Sequence, residues 1–273
     1  MPMELTTLSQ SSLQDYSDCP RRFELRYLQR LAYPALESEP ALENEKHQRE
    51  GEYFHRLAQQ AFIGLPLEHI AKLANSENLQ RWWDNFSNAP DVQSLLSMPL
   101  RRTEVTLSAP LGNFRLLAKF DLIAAHDGKF FIYDWKTYRK RPRNEWLAVR
   151  WQTRVYRALL VQAGAHLHGG KAIQPEQVEM VYWFPEFPNE AAHLPYQSDQ
   201  YKRDRDALTR LAEEIASASG YPKTEEAAKC LYCPYRSYCN RGARAGDALE
   251  AELETEAEEI FDLNFEQIGE IEF

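Results

Sequence analysis

The sequence predicts an α/β fold in which a three-stranded antiparallel meander lies between two helices and a fourth strand follows the second helix. Three observations predict it. Between Thr103 and Trp135 the apolar residues recur with period two, through Val105 and Leu107, Phe114 to Ile123, and Phe130 to Trp135. These runs are separated by Leu111-Gly112-Asn113 and His126-Asp127-Gly128, which carry turn chemistry. On either side, Gln48 to Phe62 and Asn144 to Gln162 show helical spacing, the first through Phe54, Leu57, Ala58 and Ala61, the second through Trp146, Val149, Val155 and Leu159. Val178 to Phe184 is then rich in β-branched and aromatic residues, as a strand requires.

The remaining elements follow from local signals. Hydroxyl residues in Leu8-Ser9-Gln10-Ser11-Ser12-Leu13 can cap a short helix that ends near Pro20, leaving Cys19 at its end. Residues 21–30 mix basic and aromatic groups and read as a half-buried helix. Two prolines and many acids make 33–46 a loop, and a further helix runs from about Gln200 to Ala218. A chain of 273 residues with 44% hydrophobic residues can bury a sizeable core. The expected organisation is one domain over residues 1–242, tied by cysteines from both of its ends, and an acidic, flexible tail over 243–273.

The formal charge is −9, yet residues 245–273 hold 11 Asp or Glu and no Lys or Arg. Residues 1–244 therefore carry 32 basic and 30 acidic groups, a balance of +2. A near-neutral body can still bind nucleic acid through a local basic groove, so net charge excludes nothing here. No stretch approaches the roughly 18 apolar residues of a membrane span, and Met1 to Tyr16 lacks the basic and then apolar order of a signal peptide. A cytoplasmic protein with no membrane partner is expected. Gly169-Gly170-Lys171-Ala172 lacks the earlier glycine and the Ser/Thr of a phosphate loop, so any ATP-driven motor must be a separate protein.

Asp134-Trp135-Lys136 ends a strand. Residues two apart on a strand share a face, so the carboxylate and the ammonium point one way and Trp135 the other. Asp121, on the preceding strand of the same hairpin, falls near the level of Asp134. Two converging carboxylates repel unless a cation sits between them, and hard oxygens suit Mg²⁺ or Mn²⁺. Hydrolysis of a phosphodiester needs an activated water, a Lewis acid and positive charge for the developing negative one, which Asp121, Asp134 and Lys136 together can supply. Taken alone, an Asp-x-Lys in a strand is more commonly a solvated surface ion pair.

The cysteines are Cys19, Cys230, Cys233 and Cys239. The last three form C-x₂-C-x₅-C, and the first lies more than two hundred residues upstream. That spacing in a reducing compartment points to a metal centre rather than disulfides. Zinc and an iron-sulfur cluster accept four thiolates equally well, so the ligand set leaves both open.

In five segments the chain resembles the RecB-like branch of the PD-(D/E)XK nuclease superfamily, which includes the AddB nuclease module and CRISPR-associated RecB-like exonucleases. Leu8 to Phe23, with Cys19-Pro20-Arg21-Arg22-Phe23, is similar to the family's N-terminal cysteine helix, and Gly51-Glu52-Tyr53-Phe54-His55 to its G-x-x-x-H element. Ala118-Lys119-Phe120-Asp121 resembles the G-x-x-D strand with alanine in place of glycine. Asp134-Trp135-Lys136-Thr137 resembles the D-x-K strand and Gln152-Thr153-Arg154-Val155-Tyr156 the Q-x-x-x-Y helix. The resemblance spans roughly residues 8–240. It implies a restriction-endonuclease-like αβββαβ core with helical additions and an iron-sulfur-bound C-terminal segment.

It further implies His55, Asp121 and Asp134 as ligands of Mn²⁺ or Mg²⁺, Lys136 as the catalytic lysine, and Gln152 and Tyr156 facing the site from one side of a helix. Read alone, His55 is an ordinary half-buried histidine. As a neutral ligand it favours Mn²⁺ over Mg²⁺. The four cysteines would hold a 4Fe-4S cluster in preference to zinc.

The implied activity is a DNA nuclease, an exonuclease preferring single-stranded DNA, in repair, recombination or CRISPR-related processing. The alternative is a weakly active DNA-binding assembly subunit that partners a helicase or a recombination or CRISPR-adaptation protein. The basic run Tyr138 to Arg143 is either a phosphate-contacting loop or a solvated one. Arg21, Arg22, Arg236 and Arg241, with Tyr232, Tyr235 and Tyr238, either extend a DNA groove or pack around the cluster. The acidic tail, dotted with Leu, Ile and Phe, either docks on a partner or folds back as a substrate mimic.

Overall fold

Two tight turns set the register of the sheet. Gly112 (φ 56°), and Asp127 and Gly128 (φ 50° and 76°), take the positive φ that two-residue hairpin turns demand. In the computed structural model, which describes residues 5–31, 39–231 and 233–242, they join β2 (Leu100–Leu111), β3 (Phe114–His126) and β4 (Lys129–Trp135) into the expected meander. The pairings Leu111↔Phe114 and His126↔Lys129 flank the turns directly. β5 (Val178–Trp183) then pairs parallel to β4, as the intervening helices require, and β6 (Ala192–Pro195) pairs antiparallel to β5. The two-residue β1 (Thr7–Leu8) runs parallel to β3. Neither β1 nor β6 was expected, because both are shorter than the window over which alternation can be read.

Helices cover both faces. One face carries α1 (Gln10–Asp18), α8 (Trp151–Ala163) and α9 (Ser198–Ser217), whose apolar sides meet Phe120, Ile123, Phe130, Ile132 and Met180. The other carries α3 (Glu39–Phe62), α5 (Glu77–Asn88) and α6 (Pro90–Ser97), packed on Leu122, Tyr133, Trp135, Val181 and Trp183. Between α1 and α3 lie α2 (Pro20–Phe23) and a π-helical turn (Glu24–Leu28); α4 (Leu67–Ala71) and α7 (Asn144–Val149) complete the set. On the α3 side Trp135 stacks on Phe62 at 5.8 Å and meets Phe86 and Trp183 edge to face. Such pairs add about 0.5–1.5 kcal/mol each beyond burial. This αβββαβ arrangement with helical additions is the expected α/β architecture.

Two boundaries differ from expectation. α3 begins at Glu39 rather than Gln48, so residues 39–46, expected as loop, are helical. Pro40 is tolerated there because the first turn of a helix needs no N–H from it. The expected helix from Asn144 to Gln162 is broken at Arg150 (φ −61°, ψ 148°) into α7 and α8. The break is held by the Thr153 hydroxyl, which donates to the Leu147 carbonyl at 2.6 Å, and by the Arg150 guanidinium, which donates to the Tyr138 hydroxyl at 2.7 Å. No helix among the described residues is long and apolar enough to cross a membrane.

Candidate active site and cysteine cavity

β2 occupies one edge of β3 along nearly its whole length, so β1 and β4 share the other edge. β1 pairs at Arg115 and Leu116, and β4 pairs from Leu122 onward. Between them β3 has a fork in which no strand pairs on that edge. The pleat also reverses there: Phe120 belongs to the core under α8 and Leu122 to the core under α3, although the two are only two residues apart. Opposite the fork, Glu104 of β2 has a left-handed backbone (φ 56°). Irregularities of this kind re-aim a side chain. The side chain between the two faces is Asp121.

The fork is filled from three directions. The Trp135 backbone N–H, where β4 leaves β3, donates to Asp121 Oδ2 at 3.1 Å. His55 on α3 brings Nδ1 to 3.2 Å from the same oxygen. The Tyr156 hydroxyl on α8 donates to the Lys119 carbonyl at 2.7 Å. One turn earlier on α8, Gln152 donates to Asp134 Oδ1 at 2.8 Å, and Lys136 Nζ lies 3.0 Å from Asp134 Oδ2. The site thus gathers His55, Asp121, Asp134, Lys136, Gln152 and Tyr156.

Electrostatically the site neutralises itself. Enclosure works to strip the His55 ring of its proton, but the Asp121 charge and hydrogen bond outweigh it and raise the pKa to about 9. Enclosure likewise works to protonate Asp121, and the His55 charge, the hydrogen bond from His55, Lys136 and the Trp135 N–H together hold its pKa below the ordinary value. The imidazole expected to be neutral is therefore a cation while no metal replaces its proton. Asp134 and Lys136 are both buried, at 2% and 6% exposed, and are each other's counter-charge. Among the described residues no group of three or more His, Cys, Asp or Glu side chains is gathered closely enough to hold a metal ion. His55, Asp121 and Asp134 are near one another but stand as two ion pairs rather than as a preformed cage. Their donors, two hard carboxylates and one imidazole, fit Mn²⁺ or Mg²⁺ once the site's own cations give way.

Contacts that sequence reading did not single out hold this geometry. An added Cβ at Gly51 would lie 2.8 Å from Thr137 Oγ1, so this glycine lets α3 close on the end of the Asp-x-Lys strand. One turn away the His47 ring meets the Thr137 carbonyl at 2.6 Å. Gln10, buried in the first turn of α1, reaches the Tyr156 hydroxyl at 3.4 Å. Its signal was the polar run Ser9 to Ser12, which is buried throughout and is more than a cap.

All four cysteines line one cavity, with Arg22, Lys223, Lys229, Arg236 and Arg241 around them. α1 delivers Cys19 as its C-cap, and the 3₁₀ turns Ala227–Cys230 and Ser237–Cys239 deliver the others around Cys233. The Thr224 N–H and the Arg241 guanidinium point at Cys19 and Cys230 sulfurs, at 3.4 and 3.2 Å. Burial pushes the Cys233 thiol up to about 11 despite Arg22 nearby. Four thiolates on a zinc ion or a 4Fe-4S cluster leave a net negative centre, which five surrounding cations suit. The donor set and its electrostatic surroundings suit either group, although the thiols, like the carboxylates, are not gathered closely enough to form a preformed cage.

The basic residues divide. Arg22 is buried between Asp15 and Asp18 at 2.8 and 2.7 Å, and Arg236 is buried on the Leu231 carbonyl. Both belong to the cavity wall and not to a surface groove. Tyr235 is buried too and bonds the Leu31 carbonyl, whereas Tyr238 is 48% exposed and Tyr232 lies outside the described residues. In the run after β4, Tyr138 is buried against Phe184 and is not a phosphate contact, whereas Arg141 is half-buried and bonded to the Glu190 carbonyl and Asn144. Arg139, Lys140 and Arg143 remain on the surface. The acidic tail, 243–273, also lies outside the described residues.

Residues 7–240 match the family model of the PD-(D/E)XK nuclease superfamily. Among solved structures the chain is similar to a "Putative exonuclease" from Eubacterium rectale, with 10% identity, 91% of each chain covered and a TM-score of 0.50. It is also similar to SSO0001, with 18% identity, 86% of each chain covered and a TM-score of 0.41. No curated protein matches. A mixed sheet forked beside an aspartate, an Asp-x-Lys strand end in that fork and a family match across most of the chain lead to one conclusion: this protein belongs to the PD-(D/E)XK nuclease superfamily.

Proposed function

We propose that the protein is a divalent-metal-dependent DNA nuclease of the RecB-like, iron-sulfur branch, working as an exonuclease on single-stranded DNA in repair, recombination or CRISPR-related processing. The observation that carries this reading is the meeting of Asp121, Asp134 and Lys136 in the fork of β3 and β4. Asp121, Asp134 and His55 would hold Mn²⁺ or Mg²⁺, and when bound the ion supplies a Lewis acid for the scissile phosphate and an acidified water.

The chain's own groups have separable parts. Gln152 fixes Asp134 by occupying Oδ1, which leaves Oδ2 to Lys136. Lys136, buried 3.0 Å from Asp134 Oδ2, can face negative charge developing on a phosphate. Tyr156 and Gln10 hold the β3 backbone from which Asp121 projects. His55 must lose its proton to act as a ligand, so metal binding there is linked to proton release.

We propose also that the four cysteines hold a 4Fe-4S cluster, which joins the end of α1 to the C-terminal turns. The shared cavity supports a single centre; the choice of cluster over zinc rests on the resemblance to iron-sulfur relatives.

The test uses protein purified without oxygen, a labelled single strand, and Mn²⁺, Mg²⁺ or chelator, with Lys136→Ala alongside. Metal-dependent cleavage by the wild type that the variant lacks is the expected result, faster in Mn²⁺ if His55 is a ligand. Binding without cleavage by either protein would replace this reading with that of an assembly subunit. Iron, sulfide and zinc analysis of the same sample decides the second proposal.

A further inference from the structure

The break at Arg150 leaves an exposed valine, Val149, between two half-buried tryptophans, Trp146 and Trp151. On α7, Trp146 and Val149 are three residues apart and share a side of the helix; Trp151 follows directly after the break. Val149 is 59% exposed, and the two tryptophans are half-buried at the edge of the core. Each tryptophan has a guanidinium over its ring, Arg150 at 4.6 Å from Trp146 and Arg154 at 5.2 Å from Trp151. The Trp151 indole N–H also donates to the Ser17 hydroxyl at 2.8 Å, which fixes the ring. Core packing alone does not call for an exposed valine between two ring-arginine pairs.

Two further features say what this strip would meet. Trp151 immediately precedes Gln152, which holds Asp134, so the strip ends one residue along the chain from the candidate site. Arg139, Lys140 and Arg143 lie on the surface in the segment between Lys136 and α7, which holds no acidic residue; Glu145 follows in the first turn of α7. Flat apolar rings beside positive charge suit a ligand with alternating π-faces and phosphates, with its bases unpaired so that their faces are accessible.

We infer that Trp146, Val149 and Trp151 form a stacking platform for the unpaired bases of a DNA strand leading to the site, while Arg139, Lys140 and Arg143 take its phosphates. This rests on the nuclease reading for the kind of ligand and names the residues that select single strands.

Binding of a short oligothymidine, of an abasic strand of equal length and of a duplex is measured on the full chain in chelator, where no cleavage occurs. The wild type is expected to bind the base-bearing strand about tenfold or more tightly than the abasic one, the effect of one good stack. Trp146→Ala and Trp151→Ala reduce that ratio toward one and leave duplex binding unchanged. Val149→Glu, at an exposed position that folding tolerates, weakens single-strand binding as well. Cleavage by the wild type is read separately in Mn²⁺, so a ratio well above one without cleavage, or cleavage without such a ratio, lets the two readings fail separately. Equal affinity of the wild type for base-bearing and abasic strands, or an undiminished ratio in folded tryptophan variants and in Val149→Glu, overturns the platform.

Discussion

The Tyr156 hydroxyl donates to the Lys119 carbonyl at 2.7 Å, two residues before Asp121 and inside the interval of β3 that neither β1 nor β4 pairs. A side chain from α8 thus replaces a missing strand. Tyr156 is itself buried and the bond is part-buried, so removing the hydroxyl costs one ordinary hydrogen bond, about 0.5–1.5 kcal/mol. Tyr156→Phe should therefore lower stability to denaturant by about that amount, and lower activity through displacement of Asp121. A denaturant midpoint equal to that of the wild type would show that the fork does not depend on this bond.

Lys136 and Asp134 are a buried pair, so removing one partner strands the other charge. Lys136→Ala should destabilise the metal-free protein by about 3–5 kcal/mol, the usual cost of breaking such a pair. Because Mn²⁺ could replace the lost counter-charge, adding it should raise the melting temperature of the variant more than that of the wild type. Thermal melts with and without the ion check this.

Gly51→Ala sets two effects in opposition. Alanine favours an exposed helix interior by about 1 kcal/mol, but here its Cβ would stand 2.8 Å from Thr137 Oγ1. Overpacking costs about 1–3 kcal/mol, so the clash should win and α3 should retreat from the site. The double variant with Thr137→Ala should recover stability. Additive losses in the cycle would refute the contact as the cause.

Cys19 lies at the far end of the chain from Cys230, Cys233 and Cys239, with which it lines one cavity. Cys19→Ser should reduce bound metal and lower the melting temperature of the whole domain, since ligand affinity is folding free energy. Loss of metal with an unchanged melting temperature would mean that the cavity is a local feature and not a staple.

Much of the fold was legible because it rests on local chemistry. The period-two runs and the Gly112 and Asp127-Gly128 turns sufficed for the meander, and the order of the five motif segments sufficed for Asp121, Asp134, Lys136, His55, Gln152 and Tyr156 as one set. The start of α3 was misread because prolines signal loops except in a first helical turn. The break at Arg150 was invisible, since apolar spacing continues through it and the bonds that hold it come from Tyr138 and Thr153. α4 to α6 complete the face that α3 begins, and nothing local announced which face they would cover.

The sequence by itself determined the residue types and their order: two carboxylates, a lysine and a histidine on elements that alternate or turn with fixed periods. Only the tertiary structure decided that β3 forks at Asp121, that Arg22, Arg236 and Tyr138 face inward, and that Gln10 supports Tyr156. Periodicity fixes which face a side chain takes within its own element. Which element lies across from that face is set by the packing of segments more than a hundred residues apart, as with Gln10 and Tyr156, and no local pattern encodes that.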